Sequence, residues 1–390
     1  MADGTGRPEI ASGASGLDRH RAHLDRLEDM GRLRALGPRR GVDFASNDYL
    51  GLAGSAALGA AVSAALGRGV PVGSGGSRLL RGNHSEHEAL EAEAAAVFGA
   101  GAALYFSSGY AANAALLATL PQTGDLVVHD SLIHASAHEG MRLGRAATAT
   151  AVHNDVDAFG AAITAWRAAG GTGRIWIAVE SLYSMDGDRA PLDDLAALAD
   201  RHDAFLLIDE AHATGVFGPG GRGLAAHLEG RENVITLRTC GKALGCEGAL
   251  VCGDPTVIDF LVNRGRGFIF STAPSPLMAA ACRAALDLMG EDGLRTRLDG
   301  LISDAGSLFA DRLGVAPTGS QIIPVILGDD ARTMAVAAAL QSQGFDVRGI
   351  RPPTVPAGTA RLRVSLTLNV GLTEVEALAD AMEPLLQRAA

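Results

Sequence analysis

Of the 33 basic residues in the chain, 32 are arginine and one is lysine, Lys242, which sits in the segment TCGKALG. Arginine replaces lysine on a solvated surface at little cost. It cannot serve where a neutral amine must attack a carbonyl, because the guanidinium keeps its proton while a buried lysine ammonium can lose one. A chain that has dispensed with lysine everywhere else and kept one points to a required amine. The bland alternative is a chance survivor of a biased composition. Lys242 follows closely on the apolar run VITL (234–237), where the end of a strand would present it.

An amine nucleophile implies Schiff-base chemistry, with pyridoxal phosphate as the leading cofactor, and that cofactor sets three further requirements. Its pyridine nitrogen needs an acidic partner, its phosphate needs donors, and its ring needs a flat or apolar contact. Asp209 ends the apolar run FLLI (205–208) and supplies a carboxylate at a strand end. His212, three residues on in DEAHATG, is placed to bond the phenolic oxygen. The segment SSGYAAN (107–113) joins a strand to a helix, where free N–H groups and the helix dipole bind phosphate and Gly109 permits close approach. His134, in SLIHAS, offers a ring to stack. Each residue alone has an ordinary alternative: a helix cap or ion pair for Asp209, a plain serine N-cap before Gly109, a surface or core histidine for the others.

Two other motifs fail on their context. Asp209-Glu-Ala-His212 spells a helicase box, but no P-loop accompanies it, since the single Gly-Lys pair has Thr236 where the first glycine belongs and is followed by Ala243. Gly218 to Gly223 fits G-x-G-x-x-G, yet it contains Pro219 and lacks a preceding strand and a later acid. No zinc spacing and no G-x-S-x-G elbow occurs.

The elements that must carry these residues are short apolar runs alternating with helical segments: ALYF (103–106), LVVH (126–129), IWIAV (175–179), FLLI, VITL and ALVC (249–252). Strands without polar alternation are buried on both faces, which in this rhythm predicts a parallel α/β sheet. Ser107, Ser108, His129, Glu180, Asp209 and Thr239 then fall at strand ends, where such sheets hold their sites. Past STAPSP (271–276) the rhythm changes to long helices (276–309), strands at 321–327 and 361–367, and a last helix from Thr373. Residues 16–35 read as a charged amphipathic arm.

With 390 residues, 47% of them hydrophobic, and a mean hydropathy of +0.17, the chain has ample core material and lacks the signature of disorder. A net charge of −11 argues against a nucleic-acid binder. The four cysteines form no C-x-x-C pair, which fits a reduced, cytoplasmic setting. Residues 1–15 are polar with no apolar leader, and no run approaches a membrane span. No metal is expected.

Ten segments, in order, carry a resemblance: SNDYLGL, GSGGSRLLRGNHSEHEALE, SSGYAAN, HDSLIHAS, HNDV, ESLYSMDGDRAPL, LIDEAHATGVFG, TCGKALG, FIFSTAPSP and RPPTVPAGTARLRVSLT. From Asn47 to Thr367 the chain resembles the α-oxoamine synthase family of fold-type I pyridoxal-phosphate enzymes. The resemblance implies an α/β fold with an N-terminal arm (1–45), a large, mainly parallel-sheet cofactor domain (46–282) and a smaller α+β C-terminal domain (283–390). It implies that Lys242 bears the cofactor as a Schiff base, with Asp209 and His134 as its catalytic companions. Asp209 pairs with the pyridine nitrogen, Ser184 and His212 address the phenolic oxygen, and His134 covers the ring. Backbone groups of Gly109 and Tyr110 and the Thr239 hydroxyl hold the phosphate. Arg363 binds the amino-acid carboxylate, and Asn47, His134 and Thr354 line the substrate site. The family's N-terminal substrate arginine falls on Arg32, with Arg34 beside it. Such enzymes are homodimers with shared active sites, so Thr272 would reach the partner's phosphate.

The implied reaction is a decarboxylative condensation of L-alanine with a pimeloyl thioester, carried on coenzyme A or an acyl carrier protein. Glycine or serine with another acyl thioester is the close alternative. An aminotransferase and a non-catalytic ligand-binding protein on the same fold stand further off.

Overall fold

The computed structural model describes residues 16–387. The polar stretch 1–15, with the expectation that it holds no leader, lies outside the described residues. Residues up to Arg40 form one unit and Gly41 onwards another. In the first unit the charged segment forms a helix, Asp18–Asp29, with no buried residue. It is shorter than the 16–35 expected, because Gly31, at φ +61°, ends it in the left-handed region that favours glycine.

The second unit is built on a seven-stranded sheet: β1 (Ala102–Phe106), β2 (Leu126–Asp130), β3 (Ala147–Ala151), β4 (Ile175–Glu180), β5 (Phe205–Asp209), β6 (Val234–Thr239) and β7 (Ala249–Gly253). The spatial order is β1-β7-β6-β5-β4-β2-β3. Successive side chains go to opposite faces, and both faces are apolar. Leu104, Val127, Trp176, Leu207, Ile235 and Val251 pack on one side. Leu126, Val128, Ile177, Leu206, Ile208 and Val234 pack on the other. Two-sided burial is why these strands read as unbroken apolar runs.

The four neighbouring pairs from β6 to β3 are parallel, while β7 runs antiparallel to both β1 and β6. The sheet is therefore mixed at one strand, and six strands share one direction. Asp130, Glu180, Asp209 and Thr239 end β2, β4, β5 and β6 at a common edge, and the helix Gly109–Thr119 starts just past β1 at that edge.

A second, antiparallel sheet holds β8 (Ile322–Gly328), β9 (Arg348–Ile350) and β10 (Ala360–Ser365), in the order β9-β10-β8. The long helical stretch expected over 276–309 is two helices, Pro276–Gly290 and Asp292–Leu313, interrupted at extended Glu291. A single apolar cluster ties Tyr105, Leu250 and Cys252 of the large sheet to these helices and to Ile323, Val325, Leu362 and Val364 of the small one. It fixes the strand carrying Arg363 against the rest of the site.

Candidate active site

Lys242 lies in a turn that leaves β6. The Cys246 amide donates to the Cys240 carbonyl at 2.8 Å and the Gly245 amide to the Lys242 carbonyl at 2.9 Å. Gly245 has φ +63°, and a Cβ there would sit 2.4 Å from the Ala53 nitrogen, so only glycine lets the turn close on the segment after NDYLGL. The Lys242 amine comes within 2.8 Å of His212 Nε2. Burial lowers its pKa from the ordinary 10.5 to about 8, with Asp209 and Glu180 pulling the other way and Arg363 adding to the fall.

His212 is fixed from behind. The Tyr49 hydroxyl donates to Asn47 Oδ1 at 3.0 Å, and the Tyr49 oxygen lies 2.6 Å from His212 Nδ1. With the phenol hydrogen so committed, Nδ1 carries the ring hydrogen and Nε2 is the acceptor that faces the amine. Burial and the neighbouring Lys242 charge hold the His212 pKa well below the usual histidine range, so the ring is neutral. Gln321 donates to the His212 carbonyl at 2.7 Å.

Across the cleft, Asp209 Oδ1 accepts the Ala211 amide at 2.9 Å and Oδ2 accepts Asn113 Nδ2 at 2.6 Å. Asn113 gives its other hydrogen to Ser136 Oγ at 3.0 Å, and Ser136 Oγ lies 2.7 Å from His134 Nδ1. One amide thus aligns both the carboxylate and the ring. Glu180 pairs in register with Asp209 on the next strand. Burial, reinforced by Asp209, pushes the Glu180 carboxyl well above the carboxylate range.

The anion end is the start of the helix Gly109–Thr119. Ser108 caps it: its hydroxyl takes the Ala111 amide at 3.1 Å and its carbonyl takes the Ala112 amide at 3.0 Å. That leaves the Gly109 and Tyr110 amides uncommitted to the cap. A Cβ on Gly109 would enter the gap towards Thr239, 3.7 Å from its Cβ and Oγ1. Lys242, His212, Asp209, His134, Gly109, Tyr110 and Thr239 all line one cleft of about 510 Å³, part of it open to solvent. A lone amine of lowered pKa, a carboxylate fixed by two donors, a ring held in place and two helix-start amides not used by the cap together fit pyridoxal phosphate.

The remaining expected residues fall elsewhere. Arg363, on β10, is 6% exposed. Its guanidinium donates to the Ser184 carbonyl (2.6 Å), Ser365 Oγ (2.6 Å) and Asn47 Oδ1 (3.1 Å). Ser184 and Asn47 therefore meet at Arg363, and Tyr49 links this group to the cleft. Thr272 lines a different small cavity, beside Arg78 and Phe268. Thr354 is exposed on the loop before β10, its amide on the Arg351 carbonyl at 3.1 Å. Arg32 lies in the N-terminal unit, its amide on the Leu27 carbonyl at 2.6 Å.

Sequence reading assigned no role to Asn113, Ser136 or Tyr49. Asn113 carried a signal, since it lies four residues after Gly109 and so shares its helix face. Tyr49 and Ser136 acquire their roles only through contacts formed by folding. Among the described residues, no group of His, Cys, Asp or Glu is placed to hold a metal ion, and no helix is long and apolar enough to cross a membrane.

Comparison with known proteins agrees with this geometry. The aminotransferase class I and II family matches residues 39–382. An 8-amino-7-oxononanoate synthase of Anaeromyxobacter dehalogenans is 43% identical, with 97% of each chain covered. Serine palmitoyltransferase of Sphingomonas wittichii has a similar structure, with a TM-score of 0.86 at 27% identity over 96% of this chain and 99% of its own. The 8-amino-7-oxononanoate synthase of Francisella tularensis gives a TM-score of 0.74 at 26% identity over 89% and 98%. The chain therefore belongs to the class I and II aminotransferase family and, within it, to the α-oxoamine synthases, acyltransferases that work with pyridoxal phosphate on a fold-type I scaffold.

Proposed function

We propose that the chain carries out the reaction of an 8-amino-7-oxononanoate synthase: condensation of L-alanine with a pimeloyl thioester, with loss of CO2, in biotin synthesis. Full-length identity of 43% to such a synthase supports this, and the lone lysine, its amine 2.8 Å from His212 Nε2 in the cleft that Asp209 also lines, is the observation that carries the chemistry. In this reading the arm, the large part (46–282) and the small part (283–390) divide the chain, and the enzyme is a cytoplasmic homodimer.

Lys242, Asp209, His134, His212, Ser184, Gly109, Tyr110 and Thr239 would hold pyridoxal phosphate, with Thr272 serving the partner's site. Bound there, the cofactor supplies an aldehyde for amines and an electron-withdrawing ring. Asp209, aligned by Asn113 and Ala211, holds the proton on the ring nitrogen. Arg363 is a buried cation whose acceptors are all neutral, and among the described residues no carboxylate lies in ion-pair reach of it. Burying an unpaired charge is costly, so a carboxylate ligand completes this site, and that of alanine fits. Asn47 and Thr354 serve the same substrate region, and Arg32 is the N-terminal arginine that the resemblance assigns to substrate binding. The Lys242 amine, whose pKa burial lowers, removes the alanine Cα proton and returns one after CO2 leaves. His212 Nε2 accepts a hydrogen from that amine and steers it.

The shape likeness to serine palmitoyltransferase favours a second reading, serine with a longer acyl thioester. Product analysis decides. Purified protein with pyridoxal phosphate is offered alanine, glycine or serine with pimeloyl or palmitoyl groups on coenzyme A or acyl carrier protein. Alanine with a pimeloyl thioester should give an amino ketone and one CO2 per turn. Turnover only with another pair, or amino-group exchange with a keto acid and no thioester requirement, overturns the proposal.

A further inference from the structure

His153, in the segment HNDV, stands outside the cleft, and nothing above gives it a task. Its two ring nitrogens both face carboxylates. Nδ1 is 2.9 Å from Asp130 Oδ1 and Nε2 is 2.8 Å from Asp188 Oδ2. A carboxylate only accepts, so both nitrogens must donate, which makes the ring an imidazolium. Burial opposes the charge, but the bonds to Asp130 and Asp188 override it and lift the His153 pKa to about 10. The Tyr183 ring stands edge-on to the imidazole at 4.4 Å.

The two carboxylates belong to different parts of the site. Asp130 is fully buried at the end of β2, where it also accepts the amides of Leu132 (2.8 Å) and Asn154 (2.9 Å). It is an immobile anchor. Asp188 belongs to a tight turn after β4. The Tyr183 amide donates to the Asp188 carbonyl and the Gly187 amide to the Tyr183 carbonyl, both at 2.9 Å. Asn154 Nδ2 adds a bond to Asp188 Oδ2 at 2.8 Å.

The far side of that turn meets the arginines of β10. The Ser184 carbonyl takes Arg363 Nε at 2.6 Å, the Met185 carbonyl takes Arg361 Nη1 at 3.2 Å, and Asp186 pairs with Arg361. Gly187, at φ +70°, packs so closely on β8 that a Cβ would lie 2.3 Å from the Ile322 carbonyl oxygen. The turn is thus clamped between the edge of the large sheet, through His153, and the small sheet, through Arg361 and Arg363.

We propose that His153 is a positioning residue: by bridging Asp130 and Asp188 it fixes the turn that presents the Ser184 carbonyl, and so sets the Arg363 guanidinium that receives the amino-acid carboxylate. This rests on the reading of Arg363 given under the proposed function. His153 touches no reacting atom and acts only through the turn. Loosening the bridge costs orientation of one substrate, the amino acid, and leaves the thioester and the proton-transferring amine as they were.

The test uses the holoenzyme and the variants His153→Gln and Asp188→Asn. The second keeps the buried His153–Asp130 bond and serves if the first fails to fold. Both should raise KM for alanine about tenfold or more, with KM for the thioester within about twofold and kcat within about threefold. In the wild-type protein with labelled histidine, NMR should show the His153 ring doubly protonated through pH 8.5, well above the free value near 6.5. An unchanged alanine KM in a folded variant, a loss confined to kcat, or a ring that titrates near 6.5 overturns the assignment. If the wild-type enzyme does not turn over alanine, it is the proposed function that fails; if it does and the variants bind alanine normally, only the role of His153 falls.

Discussion

Asn113 Nδ2 lies 2.6 Å from Asp209 Oδ2, so the helix whose first turn is proposed to hold the phosphate also aims the carboxylate proposed to pair with the ring nitrogen. The two ends of the cleft are therefore not independent. Removing the amide in Asn113→Ala should weaken pyridoxal phosphate binding about tenfold, as expected for a lost hydrogen bond to a charged group. Asn113→Asp should do worse, because a second carboxylate would face Asp209 and one of the pair must take a proton. Equilibrium dialysis of the cofactor gives the order directly. Equal affinities for wild type and both variants would show that Asn113 does not align Asp209.

The lowered pKa of Lys242 predicts a pH signature in the protein without cofactor. An amine-acylating reagent should modify Lys242 along a titration centred near pH 8 rather than 10.5. The sign for stability follows from the same shift. Between about pH 8 and 10.5 the unfolded chain keeps a proton on Lys242 that the folded chain has released, so the contribution of this one group to folding stability rises with pH across that window. Below pH 8 both states hold the proton, and the buried charge weighs on the fold. Denaturant unfolding of wild type and Lys242→Met should show the stability of the wild type rising relative to that of the variant between about pH 8 and 10.5, because the other titrating groups are common to both.

Arg363 provides a third check. Its guanidinium donates to three neutral acceptors and pairs with no carboxylate among the described residues, as expected for the proposed alanine carboxylate site. Arg363→Lys keeps the charge and loses the planar fork, so KM for alanine should rise about tenfold to a hundredfold. The thioester KM should barely move. A parallel rise in both KM values would place Arg363 outside the amino-acid site.

Much of the sheet was legible because burial on both faces leaves only apolar residues to write with. FLLI, VITL, IWIAV, LVVH, ALYF and ALVC fall on β5, β6, β4, β2, β1 and β7. The run ATATA on β3 was missed, since it lies at the open edge of the sheet and most of it is exposed. The direction of β7 was also hidden, because an apolar run is the same read either way. In the site, residues presented by strand ends and by the helix start could be placed from local pattern: Asp209, Thr239 and Gly109. The partners that orient them could not. Tyr49 and His212 meet across 163 positions, and Arg363 and Asn47 across 316. HNDV could be quoted as a motif, but nothing local said that His153 would bridge two carboxylates, one of them 35 residues further on.

The central claim is that the single lysine bears the cofactor. Protein loaded with pyridoxal phosphate and reduced with borohydride should carry one stable pyridoxyl adduct, found by peptide mass spectrometry on Lys242, and Lys242→Arg should carry none and lose turnover by about a thousandfold or more. An adduct on no residue of the wild-type chain, or full activity in Lys242→Arg, would contradict the account.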